Sequence, residues 1–145
     1  MKLNLRRMIT GWLLPVILVL MSLVAVSIYP PSAIADDFTK ATLGSVDFAG
    51  KDLTSFEFTQ ASVRGGKFTN ANLTGVSLIG GDFDSADFSG ANLTNAALDT
   101  TRLTRTNLTN TIFVGAFVTN TNFNGAIIDG ADFTDVLLRK DVQKL

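Results

Sequence analysis

The 145-residue sequence contains no cysteine and no histidine. Without cysteine it can form no disulfide and no thiolate metal site, which fits an oxidising compartment and a reducing one equally well. Without histidine it lacks the commonest general base and the commonest metal ligand. The sequence also shows no nucleophile–base pair, phosphate-binding loop or metal-ligand pattern. We therefore expect a protein that is not an enzyme, with no catalytic residue, no cofactor and no metal.

Basic residues are scarce after the first 35 positions. Residues 36–145 hold nine lysines and arginines against thirteen aspartates and glutamates, a net charge of −4. Direct binding of nucleic acid requires a basic stripe, and none is visible in the sequence. We therefore expect no nucleic-acid partner.

The first 35 residues have the parts of a secretory signal peptide. A positively charged start precedes an apolar run over residues 12–29, and two prolines follow it. Small residues then occupy the −3 and −1 positions of a cleavage site, the second of them being Ala35. This order predicts a signal peptide over residues 1–35, cleaved between Ala35 and Asp36.

Two other interpretations of this segment stay open. The apolar run is about as short as a transmembrane helix can be, so the segment could remain as an uncleaved membrane anchor. Arg6 and Arg7 could direct export by the twin-arginine route. In each case the rest of the chain is exported, and any contact with a membrane is through this segment.

An apolar residue recurs at every fifth position in the rest of the chain. Twenty consecutive positions from Leu43 to Leu138 keep this spacing without an insertion, and Phe38 extends the series. The residue two positions before each centre is usually small. The last position of each five-residue unit is rich in glycine, asparagine and serine.

A five-residue period fits neither an α-helix nor a plain strand. Side chains of a strand alternate between two faces, so an odd spacing would turn every second centre outward. A turn in each unit restores the direction, and the residues at the last position readily adopt the positive φ that such a turn needs. The sequence therefore predicts an all-β solenoid around a narrow core, with the centre and the small residue facing inward.

Charges that recur 20 positions apart indicate the size of one coil. The opposite-charge pairs at this spacing are Asp47 with Lys67, Lys67 with Asp87, Arg64 with Asp84, and Asp82 with Arg102. Adjacent strands lie about 4.8 Å apart, where facing opposite charges are favourable. The spacing predicts four units per coil and about five coils in all.

The ends of such a solenoid need caps. We expect an N-terminal cap over residues 36–42, the solenoid over 43–138, and a C-terminal tail or cap over 139–145. The apolar residues at the end of the chain recur at helical spacing, which favours a short helical cap there. Lys51 and Phe56 occupy inward positions that are usually small. Because burial of an unpaired lysine is costly, we expect an irregular first coil in which Lys51 reaches solvent.

Five apolar residues fall at positions that should face solvent. They are Ile112, Val114, Phe117, Ile127 and Leu137. We expect them to form one apolar patch on the later coils, since Leu137 follows Phe117 at a spacing of 20. Such a patch either binds a protein partner or is covered by the C-terminal tail of the chain. An uncapped end of the solenoid could also join two copies as a homodimer.

Individual units resemble a known family. Ala71–Gly75 reads Ala-Asn-Leu-Thr-Gly, Ala86–Gly90 reads Ala-Asp-Phe-Ser-Gly, and Ala131–Asp135 reads Ala-Asp-Phe-Thr-Asp. These units resemble the A(D/N)LXX signature of pentapeptide-repeat proteins, and the resemblance covers nearly the whole chain after residue 35. It implies a right-handed quadrilateral β-helix. With its signal segment, the chain is similar to exported members of the family in cyanobacteria and in the chloroplast thylakoid lumen.

The family has no single function, so the resemblance indicates only a class. We expect an exported, non-catalytic structural or protein-interaction module in the thylakoid lumen or the periplasm. The alternative is a DNA-mimicking topoisomerase inhibitor, because some cytosolic members of the family resemble duplex DNA in size and negative charge and bind topoisomerases. Such a mimic needs a dense acidic surface. The densest carboxylate cluster, Asp82, Asp84 and Asp87, lies on a convex surface that offers no cleft for acid–base chemistry.

Overall fold

The computed structural model describes residues 36–137, which form a solenoid of repeated short turns. Nearly every five-residue unit contributes one bridging residue and then a turn; this range contains no helix and no strand longer than a single bridging residue. Seventeen parallel bridges join residues 20 positions apart, from Asp37 with Glu57 to Phe117 with Leu137. This pairing confirms the register that the charges predicted.

Four successive units complete a coil, so the solenoid has four sides. We number them in chain order. The first side comprises residues 41–45, 61–65, 81–85, 101–105 and 121–125, and the second, third and fourth sides follow at steps of five residues. Because Asp37 already pairs with Glu57, the segment predicted as an N-terminal cap follows the register of the repeat.

Backbone hydrogen bonds join each coil to the next. On the first side the Phe83 N–H donates to the Arg102 carbonyl oxygen at 2.9 Å, and the Asp82 N–H donates to the Ala61 carbonyl oxygen at 2.8 Å. The first bond runs to the following coil and the second to the preceding one. The central residue and the residue before it therefore tie their unit to both neighbours.

The corners between sides use a left-handed backbone conformation. The last residue of nearly every unit has a positive φ, as in Gly75 at 71° and Thr100 at 58°. The following N–H closes the turn, for example from Thr101 to the Leu98 carbonyl oxygen at 3.0 Å. Ten corner residues are not glycine. The hydrogen bonds between coils hold these residues in a conformation that side chains otherwise disfavour.

The central side chains fill the interior. Every centre from Leu53 to Phe113 is buried, and most of the small inward residues beside them are buried as well. Phe68 and Phe88 stack with ring centroids 4.5 Å apart, one coil above the other. The inward threonines are satisfied by carbonyl oxygens, as Thr101 Oγ1 donates to Leu78 at 2.8 Å. The interior is thus a continuous packed column.

The first coil departs from the pattern where the sequence indicated. Lys51 is exposed, which confirms that this inward position opens to solvent at the start of the solenoid. Phe56 is half-buried and its ring stacks on Phe58 at 6.3 Å between centroids. The corner near Gly44 is also irregular, because the positive φ of 59° falls one residue early there.

The other end of the described range is open. Ile128 and Phe133 occupy central positions but are 51% and 37% exposed, and no residue up to 137 covers them. The predicted tail over 139–145 and its helical cap lie outside the described residues, as do Leu138, the signal peptide over 1–35 and Ala35 of the cleavage site. No part of the described solenoid is a helix with the length and hydropathy of a membrane span.

Candidate interaction surfaces

The predicted apolar residues project from the later coils. Their exposed fractions range from 39% at Ile112 to 52% at Ile127, while Val114 is partly covered. Phe117 and Leu137 are bridge partners on the fourth side, so their side chains lie one above the other. The surface of these coils is therefore more apolar than that of the earlier ones.

The five apolar residues do not share one face. Ile112 and Val114 lie on the third side, which adjoins the fourth side with Phe117 and Leu137. Ile127 pairs with Asn107 on the second side, opposite the fourth. The register thus gathers four of the residues around one corner of the solenoid and separates Ile127 from them.

Three of the four opposite-charge pairs expected from the sequence spacing form ion pairs in the described solenoid, whereas Lys67 and Asp87 are bridge partners without one. Arg64 Nη2 lies 2.9 Å from Asp84 Oδ2, Lys67 Nζ lies 3.9 Å from Asp47 Oδ2, and Arg102 Nη1 lies 3.9 Å from Asp82 Oδ2. Exposed pairs of this kind contribute only ~0–1 kcal/mol each. Two of the three are long and exposed, so they help to specify the register more than they stabilise the fold.

Asp84 differs from the other acidic residues because it is covered. Its side chain is 5% exposed, and it accepts hydrogen bonds from Thr104 Oγ1, from Arg64 Nη2 at 2.9 Å and from Arg105 Nη2 at 2.5 Å. The pKa of Asp84 is lowered to about 2, chiefly by the hydrogen bond from Thr104 and further by those from the two arginines. Desolvation of the carboxylate opposes this shift. The carboxylate is thus ionised and linked to residues of the coils before and after it.

The sequence analysis placed Asp84 on a convex surface and did not predict that its side chain is only 5% exposed. Arg64 was expected as its partner, whereas Arg105 was not. Arg105 is a corner residue, with a φ of 55°, and it stands 21 positions after Asp84 rather than 20. A search of the sequence that allowed the long side chain of a corner arginine to reach back across the turn would have found this contact.

The neighbouring aspartates, Asp82 and Asp87, accept hydrogen bonds from the backbone of their own units. Asp82 Oδ1 accepts the Asp84 N–H at 3.1 Å, and Asp87 Oδ1 accepts the Ser89 N–H at 2.9 Å, so both serve local turns. Burial alone would raise the pKa of Asp87, but hydrogen bonds, chiefly from Ser89, lower it overall. Among residues 36–137, no group of acidic side chains is placed to hold a metal ion.

Sequence comparison identifies the repeat. The family of pentapeptide repeats matches in eight copies, over residues 37–75, 67–105 and 101–139. No curated protein matches the chain.

Solved structures give the fold. The chain is 38% identical to a pentapeptide repeat protein from the Arabidopsis thaliana thylakoid lumen, with a TM-score of 0.63; the match covers 74% of this chain and 72% of that one. A pentapeptide repeat protein from the cyanobacterium Cyanothece 51142 has a TM-score of 0.51 at 16% identity, over 72% of this chain and 88% of that one, and shows a similar fold. Proteins of this type form right-handed quadrilateral β-helices. This chain therefore belongs to the pentapeptide repeat family, as its repeat, the pairing of its residues one coil apart and these similarities together show.

Proposed function

We propose that this protein is an exported, non-catalytic interaction module that binds a protein partner through the corner between its third and fourth sides. The observation that carries the proposal is the group of outward apolar side chains there, above all Phe117 and its bridge partner Leu137. Contiguous apolar surface on a soluble protein commonly marks a partner site. The solenoid itself, of about five coils with its C-terminal tail as a cap, is the rigid support.

Export rests on two separate observations. Residues 1–35 have the composition of a signal peptide, and the chain is 38% identical to a protein of the thylakoid lumen. These observations favour the thylakoid lumen, or the periplasm of a bacterium, as the site of action. The DNA-mimic alternative needs a uniformly acidic surface, and arginines interrupt the acidic surface here.

The test uses the full chain with a C-terminal tag, produced in the cells that make it. After fractionation, mass spectrometry of the exported protein is expected to find Asp36 as the first residue. Chemical cross-linking in the same fraction is expected to recover a partner with the wild type and not with Phe117→Asn. Ile79→Asn is the matched control, because Ile79 is also exposed on the fourth side but lies two coils earlier.

The outcomes separate the parts of the proposal. A first residue other than Asp36, or retention in the cytoplasm, refutes the assignment of export. Equal recovery of the partner with both variants refutes the assignment of the corner. If a chain shortened by residues 139–145 recovers much more partner than the full chain, the tail covers the corner and the proposed site is closed in the intact protein.

A further inference from the structure

The arginines of the solenoid are unevenly distributed. Within residues 36–137 there are three, Arg64, Arg102 and Arg105, and all of them lie on the first side. The only acidic residues of that side in the same range are Asp82 and Asp84. The other three sides of the described solenoid together hold three lysines and ten acidic residues. The first side therefore carries a small excess of positive charge, whereas the other three sides together are strongly acidic.

The acids of the first side lie beneath its bases. The side chain of Asp84 is 5% exposed, whereas those of Arg64 and Arg105 are 57% and 65% exposed. Asp82 is half-buried beside the more exposed Arg102. A molecule that approaches this side therefore meets guanidinium groups before it meets carboxylates.

Asp84 brings two of these guanidinium groups together. Arg64 comes from the preceding coil and Arg105 from the following one, and both donate to the same oxygen, Asp84 Oδ2. A guanidinium has five N–H donors in a planar fork. Arg64 uses one nitrogen for Asp84, and Arg105 uses one for Asp84 and one for Ser85 Oγ at 3.4 Å. The remaining donors bond with no other described residue and are available to a second anion.

The rest of the first side indicates the kind of anion. Its outward neighbours are polar, such as Ser62, Thr104 and Asn124, and its described residues include no exposed large apolar side chain. A membrane surface would require either apolar insertion or a larger excess of positive charge, because each basic residue contributes only about 1 kcal/mol near anionic lipid. Forked pairing of guanidinium with carboxylate, in contrast, suits a peptide that carries several carboxylates.

We propose that the first side of the solenoid binds an acidic segment of a partner protein, with Arg64 and Arg105 as the central contacts and Arg102 beside them. The surface is distinct from the corner that contains Phe117, and it stands if the role assigned to that corner fails. Carboxylates of the segment would pair with the unused N–H donors of the guanidinium groups. The acidic second, third and fourth sides would repel the same segment and so confine it to this side.

The probe for this proposal is a fluorescein-labelled decaglutamate peptide, with binding to the full chain measured by fluorescence anisotropy. We expect saturable binding that weakens when the ionic strength rises from about 0.05 M to about 0.15 M. The double variant R64Q/R105Q is expected to lose about tenfold or more in affinity. The matched control is K51Q/K67Q, which removes the same number of charges from the third and second sides and should leave the affinity within about twofold.

Several outcomes overturn the proposal. The first is that the wild type shows no saturable binding of the peptide, and the second is that both double variants lose affinity equally. The third is that the protein binds vesicles of about one third phosphatidylglycerol in phosphatidylcholine but does not bind the peptide. If R64Q/R105Q loses its far-UV circular dichroism signal, R102Q replaces it, because Arg102 makes no hydrogen bond to Asp84 in the described solenoid. We then expect R102Q to weaken binding relative to K67Q, and equal affinities of these two variants would refute the proposal.

Discussion

A single methyl group added at Gly81 tests whether the interior is as narrow as its contacts indicate. Gly81 is buried at the inward, usually small position of the first side. A Cβ atom there would stand 2.5 Å from Cε2 of Phe83, 3.0 Å from the Leu78 carbonyl oxygen and 3.3 Å from the Ala61 carbonyl oxygen. Non-bonded carbon atoms prefer separations of about 3.5–4.0 Å, so the methyl group of Gly81→Ala overlaps the ring.

The ring of Phe83 has little room to move away. Its centroid lies 5.8 Å from that of Phe68 and 5.6 Å from that of Phe88, both in edge-on contact. Extra methyl groups in packed cores cost about 1–3 kcal/mol, and replacement of glycine by alanine returns ~0.4–1 kcal/mol through the unfolded state. The difference is about 0–2.6 kcal/mol, and the overlap with the Phe83 ring favours the upper part of this range. We therefore expect Gly81→Ala to lower the free energy of unfolding by about 1–2 kcal/mol, which for a domain of this size lowers Tm by roughly 4–16 °C.

The assay is urea unfolding followed by far-UV circular dichroism, in a chain that begins at Asp36. Fluorescence is unsuitable because the only tryptophan and the only tyrosine precede that residue. A double-mutant cycle with Phe83→Leu isolates the contact, since leucine has no Cε2 atom, and the methyl group should therefore cost less in that background. A loss below about 0.5 kcal/mol in the wild-type background, or an equal loss in both backgrounds, would refute the narrow interior.

Two further changes test the charge network and the corners. Because the pKa of Asp84 is lower in the folded protein than in the unfolded chain, ionised Asp84 stabilises the fold above about pH 4, and this stabilisation is lost as the pH falls towards about 2. Tm of the wild type should therefore fall more steeply over this range than Tm of D84N. D129N, which removes an exposed carboxylate, is the control. Parallel curves for the wild type and D84N would show that the hydrogen bonds of Asp84 do not contribute. At the corner residue Gly75, φ is 71° and no atom lies within 4 Å of an added Cβ. Gly75→Ala should lower the free energy of unfolding by about 1 kcal/mol and Gly75→Asn by less, because asparagine tolerates this conformation. Equal urea midpoints for the two variants would contradict this expectation.

The fold could be predicted from the sequence because the five-residue spacing constrains both the turns and the direction in which each side chain faces. An apolar residue at every fifth position requires a turn in every unit, and the recurrence of opposite charges at every fourth unit selects the size of a coil. Arg64 with Asp84 illustrates this, since the predicted pair is a close contact in the structure. Lys51 also behaves as expected, because only an end of the solenoid can expose an inward position to water.

The details of the candidate surfaces were harder to predict, for two different reasons. The burial of Asp84 depends on side-chain reach from Thr104 and Arg105, which a spacing rule does not contain. The division of the apolar residues, in contrast, follows from counting: Phe117 and Ile127 are two units apart and so face opposite ways. A sequence argument that assigned each outward residue to a side would have separated them, and would have found the arginines together.

The pairing of each residue with its counterpart one coil later has a consequence for how such a chain can change in length. Insertion or loss of one five-residue unit keeps every centre facing inward, so the core survives. Every residue after the change, however, turns by one side. A single extra unit between Arg64 and Asp84 would move Asp84 and Arg105 to a neighbouring side and leave Arg64 behind. Duplication or deletion of a whole coil is the smallest change that alters length without reassigning the outer surface, so relatives that keep a surface in common should differ by whole coils.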